Sequence, residues 1–286
     1  MNWSRIRFLL LLSLCLNSCS HWKWVKYRRS DNSYERKLDK RNSDFQIQHY
    51  LYQGRNWRFI SVGDSSLPTL VVFHGAPGSI STFDPLLFDT SITNHIRVIA
   101  MDRPGYGYNG LGNADTSVLQ QAKDALHLIH HLYSLDSYAV MGYSYGGPIA
   151  ASIAAMDTSA VKHLYLVSAA LIQGHEKIYG ISHLLDKRFV RVFVPSVVCS
   201  ANDEKLHHFE ALNTIMGQYS SIQCAIEIYH GEDDNLIYPT NSIEFEKLAV
   251  KATVTEHYSQ GGHHAFIWKQ DLLLKNQLRT DLLKSN

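Results

Sequence analysis

Four short, almost wholly apolar runs constrain this chain more than any other feature. Thr69-Leu70-Val71-Val72-Phe73, Ile96-Arg97-Val98-Ile99-Ala100, Tyr138-Ala139-Val140-Met141 and Leu164-Tyr165-Leu166-Val167 are too short for core helices and lack the alternation of a strand with one wet face. Each reads as a strand buried on both sides. Between them lie segments with helical spacing. Val118, Ala122, Leu126 and Ile129 form one stripe over Val118 to Leu132, and Pro148 to Met156 continues from a small-residue turn. Strand and helix in alternation predict an α/β fold: a mostly parallel central sheet, helices on both faces and right-handed crossovers.

Upstream of these runs, Phe45 to Tyr52 and Trp57 to Val62 alternate in polarity around Gly54, as an antiparallel hairpin would. Downstream, the alternation breaks after Ala170 and resumes at Ala225-Ile226-Glu227-Ile228-Tyr229. The stretch from about 171 to 223 therefore reads as an inserted helical cap. Ligands of such sheets bind beyond the carboxyl ends of the strands, so the cap is expected to wall the pocket with its apolar clusters, Ile181 to Leu185 and Phe189 to Val198. Leu184 and Phe189 are the side chains expected to select the ligand. A last strand near Thr253 to Tyr258 leads through Gly261-Gly262 into a terminal helix ending near Leu283. With 286 residues and 45% hydrophobic content, a single domain over 45–286 can bury one large core.

The beginning of the chain has a different character. Arg5 and Arg7 precede Phe8-Leu9-Leu10-Leu11-Leu12, and the apolar run closes at Leu14-Cys15-Leu16. That run is shorter than the ~20 residues a bilayer span needs, which points to an export signal. It ends in Leu16-Asn17-Ser18-Cys19, which resembles the lipobox of bacterial lipoproteins, so residues 1–19 are expected to be a signal peptide with Cys19 as the lipidated residue. The resemblance implies an exported protein held on a bacterial membrane by a lipid anchor. The absence of aspartate after the cysteine, where Ser20 stands, favours the outer membrane or the periplasmic face. Residues 20–44 are basic, with Lys23, Lys26, Arg28, Arg29, Arg36, Lys37, Lys40 and Arg41 among Trp22, Trp24 and Tyr27, and read as a tether. Only Cys199 and Cys224 then remain in the domain, as a bridged pair or as two buried thiols.

Lys and Arg number 27 against 26 Asp and Glu, a formal charge of +1. No global field favours nucleic acid, so function must reside in a local site. Gly142-Tyr143-Ser144-Tyr145-Gly146 follows one predicted strand and opens a helix, the context of a nucleophile elbow. His74-Gly75-Ala76-Pro77-Gly78-Ser79 follows another, where a loop can aim a backbone N–H at an oxyanion; Ala76 and Tyr145 are the candidate donors. A serine nucleophile needs a base, and the base an orienting carboxylate. His230-Gly231-Glu232-Asp233-Asp234 offers three acids, and Gly261-Gly262-His263-His264 two imidazoles.

Together with Asp102-Arg103-Pro104-Gly105-Tyr106-Gly107, these blocks make the chain resemble the α/β-hydrolase superfamily, serine esterases and lipases in particular, from about Phe45 to its end. In that superfamily the acid stands three positions beyond the glycine that ends its strand, which implies Asp234. A Gly-x-Asn-His pattern followed four residues later by Trp matches Gly261 to His264 with Trp268 and implies His264 as base; a plain Gly-His pattern would select His263, the second choice. The resemblance implies hydrolysis of a small carboxylic ester through an acyl-enzyme, with no metal or organic cofactor, and the apolar clusters of the cap lead to the expectation of a hydrophobic substrate and a preference for medium acyl chains over acetate. Thioester and lactone hydrolysis are alternatives on the same fold. So is amide cleavage of the aminopeptidase type, for which a cap carboxylate (Glu176, Asp186, Asp203, Glu204 or Glu210) would have to meet a substrate amine. The non-enzymatic alternative is a binding lipoprotein that keeps the fold. Oligomeric state is not fixed by the sequence.

Overall fold

The structure is a computed structural model in which residues 25–177, 180–265, 268 and 271–284 are described. Residues 1–19, expected to be a signal peptide, and Cys19, the expected lipidation site, lie outside the described residues. A 3-10 turn (Val25–Arg28) and helix α1 (Asp31–Asp39) precede the hairpin β1 (Phe45–Tyr52) and β2 (Arg55–Val62). Gln53 and Gly54 join the two with φ of 50° and 73°, the left-handed pair of a tight hairpin turn. The alternating part follows: β3 (Thr69–Phe73), the short helices α2 (Asp84–Leu87) and α3 (Thr90–Thr93), β4 (Arg97–Met101), α4 (Val118–Tyr133), β5 (Tyr138–Tyr143), α5 (Gly146–Met156) and β6 (Val161–Val167). The cap consists of α6 (Ser182–Leu185), α7 (Arg188–Arg191) and α8 (Ser196–Asn213). The chain then returns to the sheet as β7 (Ala225–Gly231), α9 (Thr240–Leu248), β8 (Val254–Ser259) and α10 (Asp271–Lys284).

The eight strands of the described residues form one sheet in the order β1-β2-β4-β3-β5-β6-β7-β8. From β4 to β8 every pairing is parallel, while β2 pairs antiparallel with both β1 and β4. Period-2 alternation sorts the apolar strands onto two cores. Val71 and Phe73 join Val140, Leu164 and Leu166 on the face covered by α4 and α5, whereas Leu70 and Val72 join Val98, Met141 and Tyr165 on the face covered by α2, α3 and α10. Each such aliphatic side chain contributes about 1.5–3 kcal/mol on burial, which is why runs of five residues suffice to specify these strands.

The basic segment differs from its sequence reading. Over residues 25–44 it is folded onto the domain, not a free tether: Tyr34 and Leu38 are fully buried in the second core, Tyr34 Oη donates to Asp84 Oδ1 at 3.0 Å, and Arg29 pairs with Asp84 at 2.5 Å. Tyr34 and Leu38 stand four apart on one helix face, and those two contacts are enough to dock a helix that is otherwise polar. Cys199 and Cys224 are two buried, unbridged thiols, so the bridged alternative does not apply.

Candidate active site

β3 and β5 are adjacent and parallel, with Phe73 opposite Gly142, so the loops leaving their carboxyl ends emerge side by side. Strand order reverses here: β3 leads to β4 on one side and to β5 on the other, making this the switch point of the sheet. Ser144 occupies the turn between β5 and α5 at φ 53°, a left-handed conformation that costs a serine of order 1–3 kcal/mol. Its N–H donates to Val167 O of β6 at 2.9 Å, which holds the turn against the sheet. The turn tolerates only glycine two residues on, because a β-carbon on Gly146 would lie 2.1 Å from Phe73 O. Gly75 of the neighbouring loop meets the same restriction, since a β-carbon there would lie 2.9 Å from Ser144 Cβ.

The acid and base come from the far strands. Asp234 follows β7 and is buried, and His264 follows β8. His264 Nε2 lies 3.1 Å from Ser144 Oγ, and its Nδ1 lies 2.8 Å from Asp234 Oδ2. The other carboxylate oxygen, Oδ1, accepts the backbone N–H groups of Leu236 and Ile237 at 3.0 Å each. Burial alone would raise the Asp234 carboxyl. The facing imidazoles of His230 and His264 and the N–H of Ile237 outweigh it and hold the group well below the ordinary carboxylate range. A carboxylate that stays ionised fixes His264 with its proton on Nδ1 and leaves Nε2 to accept from the serine. Tyr143 Oη donates to His264 O at 3.3 Å and so braces the loop that carries the imidazole.

His263 is exposed and donates from Nδ1 to Asp233 O at 3.0 Å, away from Ser144; Glu232 and Asp233 are exposed as well. Of the residues singled out in the sequence, the structure brings Ser144, Asp234 and His264 into one chain of hydrogen bonds and leaves His263 outside it.

The two candidate oxyanion donors share one design. The carbonyl of the Gly75–Ala76 peptide accepts from His74 Nδ1 at 2.8 Å and Arg103 Nη2 at 3.1 Å. The carbonyl of the Ser144–Tyr145 peptide accepts from the N–H groups of Gly147 and Ala170 at 2.9 and 3.2 Å. A trans peptide carries its N–H opposite its carbonyl, so pinning each carbonyl with two donors fixes the N–H of Ala76 and of Tyr145. Neither N–H meets an acceptor among the described residues. Both residues line a cavity of about 330 Å³ that also contains Ser144, with Leu185, Val198 and Ala201 of the cap and Leu236 and Ile237 as apolar wall.

Two features escape sequence reasoning. Arg103, given no role of its own from the sequence, is fully buried and donates to His74 O, Gly75 O and Gln121 Oε1, and pairs with Glu204 of the cap at 2.6 and 3.1 Å. Its partner lies 101 residues away, so no local signal marks the pair. The cavity wall also holds Glu176, which accepts from Lys205 Nζ at 2.5 Å and from His208 Nδ1 at 2.7 Å. The cap also departs from expectation. Leu185 and Val198 face the cavity, but Leu184 and Phe189, expected there, are 53% and 72% exposed. On a helix of four residues only the i, i+3 pair Ser182 and Leu185 can point inward together.

Comparison with known proteins agrees with this architecture. A family model described as the alpha/beta hydrolase fold matches residues 68–191. Among solved structures, Lip1 of Acinetobacter baumannii AYE superposes with a TM-score of 0.68 at 20% identity, covering 90% of this chain and 97% of its own. The 2-hydroxy-6-oxo-6-phenylhexa-2,4-dienoate hydrolase BphD of Rhodococcus sp. strain RHA1 gives 0.65 at 11% identity over 83% and 98%. Carboxylesterase CesB of Bacillus subtilis gives 0.63 at 14% identity over 88% and 96%. No curated protein matches the chain by sequence. The chain has the α/β-hydrolase fold.

Proposed function

We propose that this protein is a serine hydrolase that cleaves carboxylic esters through an acyl-enzyme. The observation that carries the reading is the hydrogen-bonded sequence Asp234–His264–Ser144 opening into a largely apolar cavity. Ser144 Oγ attacks the ester carbonyl carbon while His264 Nε2 takes the hydroxyl proton. Negative charge develops on the carbonyl oxygen, which the N–H groups of Ala76 and Tyr145 stabilise. Collapse breaks the acyl–oxygen bond, and the leaving alcohol takes the proton from His264. Water, deprotonated by the same imidazole, then attacks the acyl-serine, releasing the carboxylic acid and restoring Ser144. Asp234 keeps its charge throughout and stabilises the imidazolium.

Ester cleavage is favoured over cleavage of an amine-terminated amide by how the cap spends its carboxylates. Glu204 is committed to Arg103, Asp203 to Arg191, and Glu176, which lines the cavity, to Lys205 and His208. Of the five cap carboxylates Glu176 is the one that lines the cavity, so a substrate ammonium there would have to displace Lys205 and His208 from it. The name of carboxylesterase CesB points the same way. The reading is tested with a fluorophosphonate probe and a panel of acyl esters: the wild-type chain should label and turn over esters, and Ser144→Ala should do neither while keeping its circular dichroism spectrum and unfolding midpoint. Labelling that persists in the variant would place the nucleophile elsewhere.

We further propose that the chain is exported and anchored through Cys19, on the strength of Leu16-Asn17-Ser18-Cys19 after a basic and then apolar leader.

A further inference from the structure

The side chains of the cap that miss the cavity form a surface of their own. Helix α6 turns Ser182 and Leu185 to the cavity, while Ile181 and Leu184, the i, i+3 pair one residue back, face solvent at 56% and 53% exposure. Helix α7 buries none of its four residues. Phe189, Val192 and Phe193 are exposed at 72%, 76% and 59%. Five large apolar side chains thus stand in water within thirteen residues of chain, and contiguous exposure of that kind marks a docking surface. Lys187 and Arg188 are exposed between the two apolar groups, and among the described residues neither pairs with a carboxylate.

We propose that this face of the cap docks on an anionic phospholipid bilayer and that Ser144 acts on esters taken from it; the second clause rests on the hydrolase reading above. Phenylalanines and branched aliphatics flanked by free cations match the boundary between acyl chains and acidic headgroups, where the rings enter the apolar layer and Lys187 and Arg188 meet phosphate. A purely apolar protein partner would leave those two cations desolvated without a counter-charge. The contact is peripheral, since no described helix is long and apolar enough to cross a membrane. Leu185, on the inner side of the same short helix, lines the cavity that contains Ser144, so the docking face and the cavity are the two sides of α6.

The test uses the full chain with vesicles of phosphatidylethanolamine and phosphatidylglycerol at 3:1, with phosphatidylcholine vesicles as control. Because the leader at residues 8–16 could itself enter a bilayer, the readout is local: amide hydrogen exchange over residues 181–193. Exchange there should slow at least fivefold with the acidic vesicles and much less with phosphatidylcholine. A triple variant, Phe189→Ser with Val192→Ser and Phe193→Ser, should lose that protection. It should hydrolyse p-nitrophenyl dodecanoate carried in the vesicles at least tenfold more slowly than wild type, yet match it within twofold on p-nitrophenyl acetate in solution. Lys187→Glu with Arg188→Glu should abolish the preference for acidic vesicles. Unchanged exchange over 181–193 in both lipids overturns the proposal. So does a wild-type dimer that the triple variant converts to monomer in sedimentation, which would assign the face to a second copy. If neither ester is turned over by wild type, the hydrolase reading fails, and the exchange measurement alone then decides the docking.

Discussion

At the residue scale, the geometry separates two histidines that sequence cannot. His263 and His264 are neighbours in a turn, so their side chains leave the backbone in different directions, and only the path of the loop after β8 decides which reaches Ser144. We expect His264→Ala to lower kcat by on the order of 10⁴-fold or more, and His263→Ala to stay within about threefold of wild type; steady-state kinetics on a soluble ester reads both. A third histidine should show itself in stability. His74 Nε2 accepts the N–H of Arg103 at 3.1 Å and is therefore unprotonated, while its Nδ1–H serves Gly75 O. Burial, and then the Arg103 guanidinium, hold this imidazole well below its ordinary value of 6.5. In the unfolded chain it titrates normally, so the folded state keeps its full stability above about pH 6.5 and loses it as pH falls from there, by at most about 1.4 kcal/mol per unit for one proton. Urea midpoints measured from pH 7.5 to 5 should fall for wild type and fall less for His74→Gln; parallel curves would show that His74 titrates alike in both states.

At the scale of elements, the buried strands were the most legible part of the chain. The expected run Thr69–Phe73 is β3 to the residue, because five apolar side chains that must be dry on both faces leave no other reading. The cap was legible as an interruption and not as a set of directions, since α6 and α7 are single turns too short for a periodic pattern to reveal which side chains point inward. The Arg103–Glu204 pair was not legible at all. Both side chains are essentially dry, and Tyr106 Oη at 2.6 Å and Gln121 Nε2 at 3.1 Å also donate to Glu204. The pair joins α8 of the cap to the loop that presents the Ala76 N–H, so it orients the candidate oxyanion donor as well as the cap. Breaking such a pair by removing one partner costs about 3–5 kcal/mol, because the other charge stays buried. Glu204→Ala should show a loss of that order in urea unfolding, and Glu204→Gln, which keeps acceptor and donor atoms, a smaller one. Both should lower kcat more than they raise KM. Stability equal to wild type in Glu204→Ala would mean that water replaces the carboxylate and that the cap is held by apolar contacts alone.

At the scale of the whole molecule, the docking of α1 changes what the amino terminus can do. A basic segment reads as a tether when its charges outnumber its apolar residues, and Tyr34 with Leu38 are too few to register in composition. Their burial, with Arg28 over the Tyr108 ring and Arg29 paired to Asp84, ties the chain to the domain from Arg28 onward. Were residues 20–44 free, an anchor at Cys19 would let the domain range on the order of 85 Å from the membrane; with the chain tied at Arg28, the extended reach from Cys19 is about 30 Å. That is about a third of the free leash, so an anchored chain would hold its cap much closer to the bilayer. In a bacterial host the wild-type chain should incorporate labelled fatty acid and fractionate with membranes, and Cys19→Ser should lose the label and its lipoprotein-type processing. Inserting twenty Gly/Ser residues after Ser20 should leave labelling and soluble-ester turnover unchanged while lowering hydrolysis of bilayer-borne esters severalfold, because a longer linker dilutes the cap at the surface. Wild-type protein without an acyl chain would remove the anchor reading. An insertion without effect on bilayer-borne esters would show that binding by the cap, and not the length of the leash, sets its access to lipid.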